Sequence, residues 1–373
     1  MSACPHCGEE IATGANFCEG CGAQLGDVSQ EAAATLPRVN ADVAVPVSTP
    51  TMRRTDPPDV VATPRPCSEC GGVVSDDGYC DTCGAKAPSE RDHFVEAPSD
   101  WVAGVCDRGR AHPRNEDAMA LHCDAARAVL VVCDGVSSSQ DSDVASLAGA
   151  KAARDVLRTP LPTGIGTDAA RLAAVTKVLG EAAEAADKAI EANTAAESAN
   201  PASATFTCAV VEVDGSSAII WVANIGDSRS YWVPDAGDAH QLTVDDSGAQ
   251  LQIAAGVSRE VAENSADAHG ITKWLGRDSP DIVPTVTKHG VDGPGWVVVC
   301  SDGLWNYASA ASALAAQVHA HMPNPPGVIA DALVAWANAE GGRDNITVAL
   351  ARVGANVVRK NDSLTPQEAH TNG

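Results

Sequence analysis

Two sets of residues in this chain have the types and spacing to do chemistry. The first is a Cys-x-x-Cys-Gly unit that occurs four times. Cys4 and Cys7 are followed after ten residues by Cys18 and Cys21, and Cys67 and Cys70 after nine by Cys80 and Cys83. Each unit is a tight knuckle that turns two thiolates toward one ion, and the Gly behind it lets the backbone bend. Two knuckles supply the four soft ligands of tetrahedral zinc, so the spacing predicts two structural Zn²⁺ ions. Four sulfurs leave no open position for catalysis, and His6 is read as a spacer within its knuckle. About 20 residues cannot build a core, so metal binding is what would fold each ribbon.

The second set is acidic. Asp134-Gly135 follows the apolar run Val129–Cys133, and Asp302-Gly303 follows Trp296–Cys300. Asp227 follows Ala218–Ala223, Asp344-Asn345 precedes Ile346–Val353, and Asn115-Glu116-Asp117 precedes Ala118–Cys123. Singly, such dipeptides are ordinary turns. Five at the ends of apolar runs in one region are expected to converge at one edge of a sandwich. Their mutual repulsion would then call for hard cations, and Gly135 would let a backbone carbonyl approach one.

The elements that must position these groups can be read from periodicity. The runs 129–133, 206–213, 218–223, 296–300 and 346–353 are rich in β-branched residues and read as buried strands, with 118–123 as another. Leu172, Val175, Leu179, Ala182, Ala186 and Ile190 form one helical stripe, and Val144–Leu157 fits a second helix. A third helix starts after Pro325-Pro326, carries Ile329, Leu333 and Trp336 on one face, and stops at Gly341-Gly342. Cys106, Cys123, Cys133, Cys208 and Cys300 lie in or beside strands and read as inert core thiols.

These signals divide the chain into a first zinc ribbon (1–26), a Pro-rich flexible linker (27–65) and a second zinc ribbon (66–87). A hinge (88–99), a mixed globular domain (100–354) and a polar tail read as disordered (355–373) follow. The 25 basic against 49 acidic residues give a net charge of −24, which argues against nucleic-acid binding. The start MSACPHCGEE has no basic and apolar leader, and no run is long enough to cross a bilayer. The thirteen cysteines are therefore expected in a reducing, cytoplasmic setting, where metal ligation is favoured over disulfides.

From about Val102 to Arg352 the sequence resembles the metal-dependent protein serine/threonine phosphatases of the PPM, or protein phosphatase 2C, type. The resemblance is carried by Asn115-Glu116-Asp117, Val132-Cys133-Asp134-Gly135, Gly226-Asp227-Ser228-Arg229 and Gln241-Leu242-Thr243. It continues through Ile271-Thr272-Lys273-Trp274-Leu275-Gly276, Cys300-Ser301-Asp302-Gly303-Leu304-Trp305 and Gly342-Arg343-Asp344-Asn345-Ile346-Thr347. It implies an α+β fold, a four-layer α-β-β-α sandwich with a metal cleft at one end. It also implies that Asp134 bridges two Mg²⁺ or Mn²⁺ ions, with the Gly135 carbonyl on one and Asp302 and Asp344 on the other. Glu116 and Asp117 would bind metal or orient metal-bound water, and Asp227 would hold a third, weaker ion. The implied reaction is hydrolysis of phosphoserine and phosphothreonine by metal-activated water, with no covalent intermediate.

Two positions depart from the family pattern. His112, a candidate phosphate ligand or general acid, stands where a phosphate-binding Arg is usual, flanked by Arg110 and Arg114, which are further candidates to grip phosphate. Val136-Ser137-Ser138-Ser139 follows Asp134-Gly135 where many bacterial members have Met-Gly-Gly. His269 falls in the stretch that matches the family's flap. The leading expectation is a phosphatase acting on phosphoproteins and opposing bacterial Ser/Thr kinases, with a protein partner on the ribbons. The alternatives are a weakly active, phosphatase-like binding protein and a phosphatase for a small phosphorylated metabolite.

Overall fold

The computed structural model describes residues 2–3, 10–11, 66–67, 70–75, 78–85, 87, 89–136, 139, 141–163, 166–268 and 270–354. Cys4, Cys7, Cys18, Cys21, the linker, His269 and the tail, on which readings were made above, lie outside the described residues.

Apolar runs without polar alternation demand burial on both faces, and two stacked antiparallel sheets provide it. One sheet orders His240–Gln241, Arg229–Pro234, Gly295–Cys300, Ile346–Val353, Val102–Asp107 and His93–Glu96. The other orders Thr285–Asp292, Ser217–Ile225, Phe206–Asp214, Arg127–Cys133 and Ala118–Cys123. Every residue of Arg127–Cys133 is buried. Leu130 and Val132 face the opposite sheet, with Val297, Val299 and Ala349, while Val129, Val131 and Cys133 face helices. Each such side chain contributes about 1.5–3 kcal/mol through burial, so the central strands anchor the molecule.

Helices cover both outer faces. Ser142–Leu157 and Asp168–Ala192 pack on the five-stranded sheet; Ala311–Ala320 and Pro326–Glu340 pack on the other. Thr167 caps the long helix by accepting from the Ala170 amide at 3.2 Å. The expected stripe is buried from Val175 to Ile190, but Leu172 is 42% exposed. The helix has 25 residues against 16 in its neighbour, so its first turns extend past the surface available to cover them.

The α-β-β-α sandwich expected from the resemblance is thus present. The stretch read as a hinge is partly structured: His93–Glu96 pairs with Val102–Asp107 as an edge strand. Four residues with two apolar side chains are too short for periodicity to reveal. In the second ribbon, Gly71 and Gly84 follow their knuckles at φ 74° and 72°, and their amides donate to the Cys67 and Cys80 carbonyls at 2.8 Å. Only Gly adopts that conformation without strain. The Sγ atoms of Cys67, Cys70, Cys80 and Cys83 all lie within 4.8 Å of one another.

Candidate active site

The antiparallel register brings the acidic strand ends together. Ala118 pairs with Cys133, Phe206 with Ile225, Arg229 with Cys300, and Ile346 with Asp107. The residues just beyond these pairs are Asp117, Asp134, Asp227, Asp302 and Asp344.

Asp117 is fully buried, and its Oδ2 accepts from Ser301 Oγ at 2.6 Å and Thr347 Oγ1 at 2.8 Å. Its Oδ1 is buried with no hydrogen-bond partner among the described residues. Burial, with the nearby Asp344 charge adding to it, raises its carboxyl to about 6 against those two hydroxyl donors. The Asp134 carboxyl lies beside those of Asp117 and Asp302. Burial and then repulsion from Asp117, Asp302, Asp344 and Asp227 push Asp134 well above the usual carboxylate range. The main chain of Asp134 is fixed by Thr205, whose Oγ1 accepts from the Asp134 amide at 3.0 Å.

Asp302 accepts from Asn306 Nδ2 at 3.1 Å on Oδ2, while its Oδ1 is buried with no hydrogen-bond partner among the described residues. It too is raised by burial, then by Asp344 and Asp227. Asp227 is raised to about 7, by burial first and Asp245 next, with Arg229 opposing. Asp344 is the most open member, its side chain 39% exposed.

The donor set fits divalent cations. Two buried carboxylate oxygens lack protein donors among the described residues, and a third carboxylate lies beside both of their parent groups. All are hard oxygen ligands of the kind Mg²⁺ and Mn²⁺ select. Gly135 is held against the Asn115–Asp117 loop by its amide, which donates to the Glu116 carbonyl at 3.2 Å.

Glu116 points elsewhere. Its Oε1 accepts from Arg114 Nε at 3.0 Å and Nη2 at 2.6 Å, and from Ser142 Oγ. Arg114 is committed to that pair and to the Ser139 carbonyl at 3.1 Å. His112 is buried, with Nε2 3.2 Å from Asp344 Oδ1 and Nδ1 3.9 Å from Glu116 Oε2. Arg110 is exposed, and its side chain has no ion pair among the described residues.

Several residues with no role in the sequence reading hold the site. Asn345 Oδ1 accepts from the Glu116 amide at 2.7 Å, and its Nδ2 donates to the Arg108 and Arg114 carbonyls at 2.7 and 3.1 Å. Arg229 is buried over the Trp305 ring at 3.5 Å and donates to Asp245 Oδ2 at 2.7 Å and Glu263 Oε1 at 3.1 Å. Ser301 and Thr347 are ordinary strand-end residues in sequence, and only their pairing across the sheet marks them. A cleft of about 480 Å³ lined by Trp232, His240, Leu242 and His289 opens between the sheet edges and contains none of these carboxylates.

The fold is a sandwich with a cluster of carboxylates gathered at one end of its sheets. A sequence model of protein phosphatase 2C matches residues 108–336, and the chain belongs to that family of protein phosphatases. A double zinc ribbon model matches residues 4–84. Among solved structures, the S. agalactiae serine/threonine phosphatase is 23% identical with a TM-score of 0.55, covering 70% of this chain and 100% of its own. The PstP/Ppp phosphatase of Mycobacterium tuberculosis is 23% identical, covers 70% and 99%, and has a TM-score of 0.52. The MsPP phosphatase of Mycobacterium smegmatis, solved with cacodylate, is 23% identical, covers 69% and 100%, and has a TM-score of 0.51. No protein of curated function matches the chain. No helix among the described residues is long and apolar enough to cross a membrane.

Proposed function

We propose that the chain hydrolyses phosphoserine and phosphothreonine on proteins with Mg²⁺ or Mn²⁺ held at Asp134, Asp117, Asp302 and Asp344, and a weaker ion near Asp227. The observation that carries this reading is Asp134, in contact with Asp117 and Asp302, whose free oxygens Oδ1 are both buried. Bound ions would lower the pKa of a water and set it in line with phosphorus. The chain's own residues supply the rest. Arg110 is the guanidinium left unspent, so it receives the substrate phosphate. His112 holds Asp344 in orientation through Nε2, and Arg114 does the same for Glu116. The Gly135 carbonyl is a further ligand, in keeping with its tight seat on the Glu116 carbonyl.

The substrates this reading assigns are products of Ser/Thr kinases. The ribbons, each holding one Zn²⁺, serve as docking modules for a protein partner rather than in catalysis. The cytoplasm suits both the thiols and those substrates. Phosphate release from a phosphothreonine peptide should require Mn²⁺ or Mg²⁺, and Asp302→Ala should abolish it. Turnover that survives Asp302→Ala would refute the metal assignment. A metal-dependent wild type that cleaves only small phosphate esters would refute the protein substrate.

A further inference from the structure

The four residues that lead from the second ribbon into the sandwich, Ser89–Asp92, grip the metal-binding loop. Arg91 lies outside both matched stretches, 4–84 and 108–336. Its Nη2 donates to three carbonyls: Asp117 at 2.8 Å, Asp143 at 3.0 Å and Asn115 at 3.3 Å. Asn115 answers, its Nδ2 donating to the Arg91 carbonyl at 2.8 Å. The guanidinium rests over the Phe94 ring, 5.2 Å from its centroid. Nη1 is buried without a hydrogen-bond partner among the described residues, so the fork is aimed by its other arm.

The same segment reaches the other side of the cleft. The Asp92 carbonyl accepts from the Arg108 amide at 2.7 Å, and Arg108 Nη1 donates to the His112 carbonyl at 2.6 Å. The segment is itself a closed turn. Ser89 Oγ accepts from the Arg91 amide at 3.1 Å, and Asp92 Oδ2 from the Ser89 amide at 3.0 Å.

Two backbone carbonyls of the Asn115–Asp117 loop therefore share one cationic donor with the first turn of the helix Ser142–Leu157. Without it the Asn115 carbonyl would lose its side-chain donor, and the Asp117 carbonyl would keep only Cys106 Sγ, at 3.5 Å. The Asp117 carboxylate would then lose the backbone support that fixes where its free oxygen stands.

We propose that Arg91 is a positioning residue for the metal site: it sets the Asn115–Asp117 loop so that Asp117 meets Asp134 at ligand distance. This rests on the metal reading above, and the test separates the two. Mn²⁺ binding to the full, zinc-loaded chain is measured by titration calorimetry, which needs no turnover. Arg91→Ala should weaken binding about 10-fold or more, the usual cost of removing a group that orients a ligand. Millimolar guanidinium chloride should restore part of the loss, and sodium chloride at equal ionic strength should not. Arg91→Lys keeps the charge and the stem but not the fork, so it stays folded if the alanine variant does not, and its affinity should fall between the two. Arg91→Ala within about two-fold of wild type would overturn the proposal. So would Arg91→Lys indistinguishable from wild type, or rescue by sodium chloride alone. A wild-type chain that binds no Mn²⁺ would overturn the metal reading and this proposal together.

Discussion

Asp117 shows at a single side chain what the site asks of the protein. One of its oxygens is satisfied by Ser301 and Thr347, while the other is buried and left open. A buried acceptor without a donor is costly and persists where something else is meant to fill it. Arg110 is the complementary case, an exposed cation with no ion pair among the described residues, whose amide donates to the Gly342 carbonyl near Asp344. Arg110→Ala should lower kcat/KM for a phosphothreonine peptide by about 10- to 100-fold, the value of one charge-assisted hydrogen bond. Steady-state kinetics check it, and an unchanged kcat/KM would remove Arg110 from the phosphate site. Legibility at this scale was uneven. The acidic residues were readable because Asp-Gly and Asp-Asn follow or precede apolar runs. Arg110, Arg114 and His112 were readable only as a trio of candidates. Their neighbours differ: Arg114 donates to Glu116, and His112 Nε2 lies 3.2 Å from Asp344 Oδ1.

Elements place these residues by approaching closely at their ends. A Cβ on Gly303 would stand 1.9 Å from the Asn345 carbonyl oxygen, so the Asp302 turn and the Asp344 turn meet backbone to backbone. Gly303→Ala should cost about 1–3 kcal/mol, as overpacking does, and weaken divalent-metal binding as well. Urea unfolding and Mn²⁺ titration would show both effects, and a neutral variant would mean that the two turns are not held together there. The long helix reaches across in another way, with Asp187 Oδ1 accepting from the Gly276 amide at 2.8 Å. Burial raises the Asp187 carboxyl, against that amide. A carboxyl raised in the fold binds its proton more tightly there than in the unfolded chain. Its contribution is therefore present in acid and lost as pH rises from the ordinary carboxylate value through the raised one. Asp187→Asn keeps the acceptor without the charge. Its melting midpoint should exceed wild type by about 1–2 °C at neutral pH and match it in acid. Central strands such as Arg127–Cys133 were legible because both faces are buried, leaving no polar alternation to confuse the signal, although Val102–Asp107 and Arg229–Pro234, also central, were not read. Of the edge strands, Ala118–Cys123 was legible, but one longer and one shorter strand were not. Thr285–Asp292 alternates exposed and half-buried residues, and His93–Glu96 is too short to carry a period.

Across the whole molecule, charge acts over distances that no single contact spans. The chain carries 49 acidic and 25 basic residues, and the cleft adds a cluster of carboxylates to that excess. Cations bound as proposed would offset the carboxylates locally, but the surrounding field would stay negative and repel a dianionic phosphate unless its carrier brings positive charge. A phosphothreonine flanked by Arg and Lys should therefore be captured faster than one flanked by Asp and Glu. The expected ratio of kcat/KM is about 10-fold at low ionic strength, the lower end of what steering gives. Between about 0.02 and 0.5 M salt the Debye length falls to a few ångströms, and the ratio should contract toward unity. KM for each peptide across that range is the measurement. A basic preference that does not respond to salt would mean that contacts in the cleft, rather than the field of the molecule, select the substrate. A preference for acidic flanks would mean that Arg110 and its neighbours outweigh the whole of the net −24 charge.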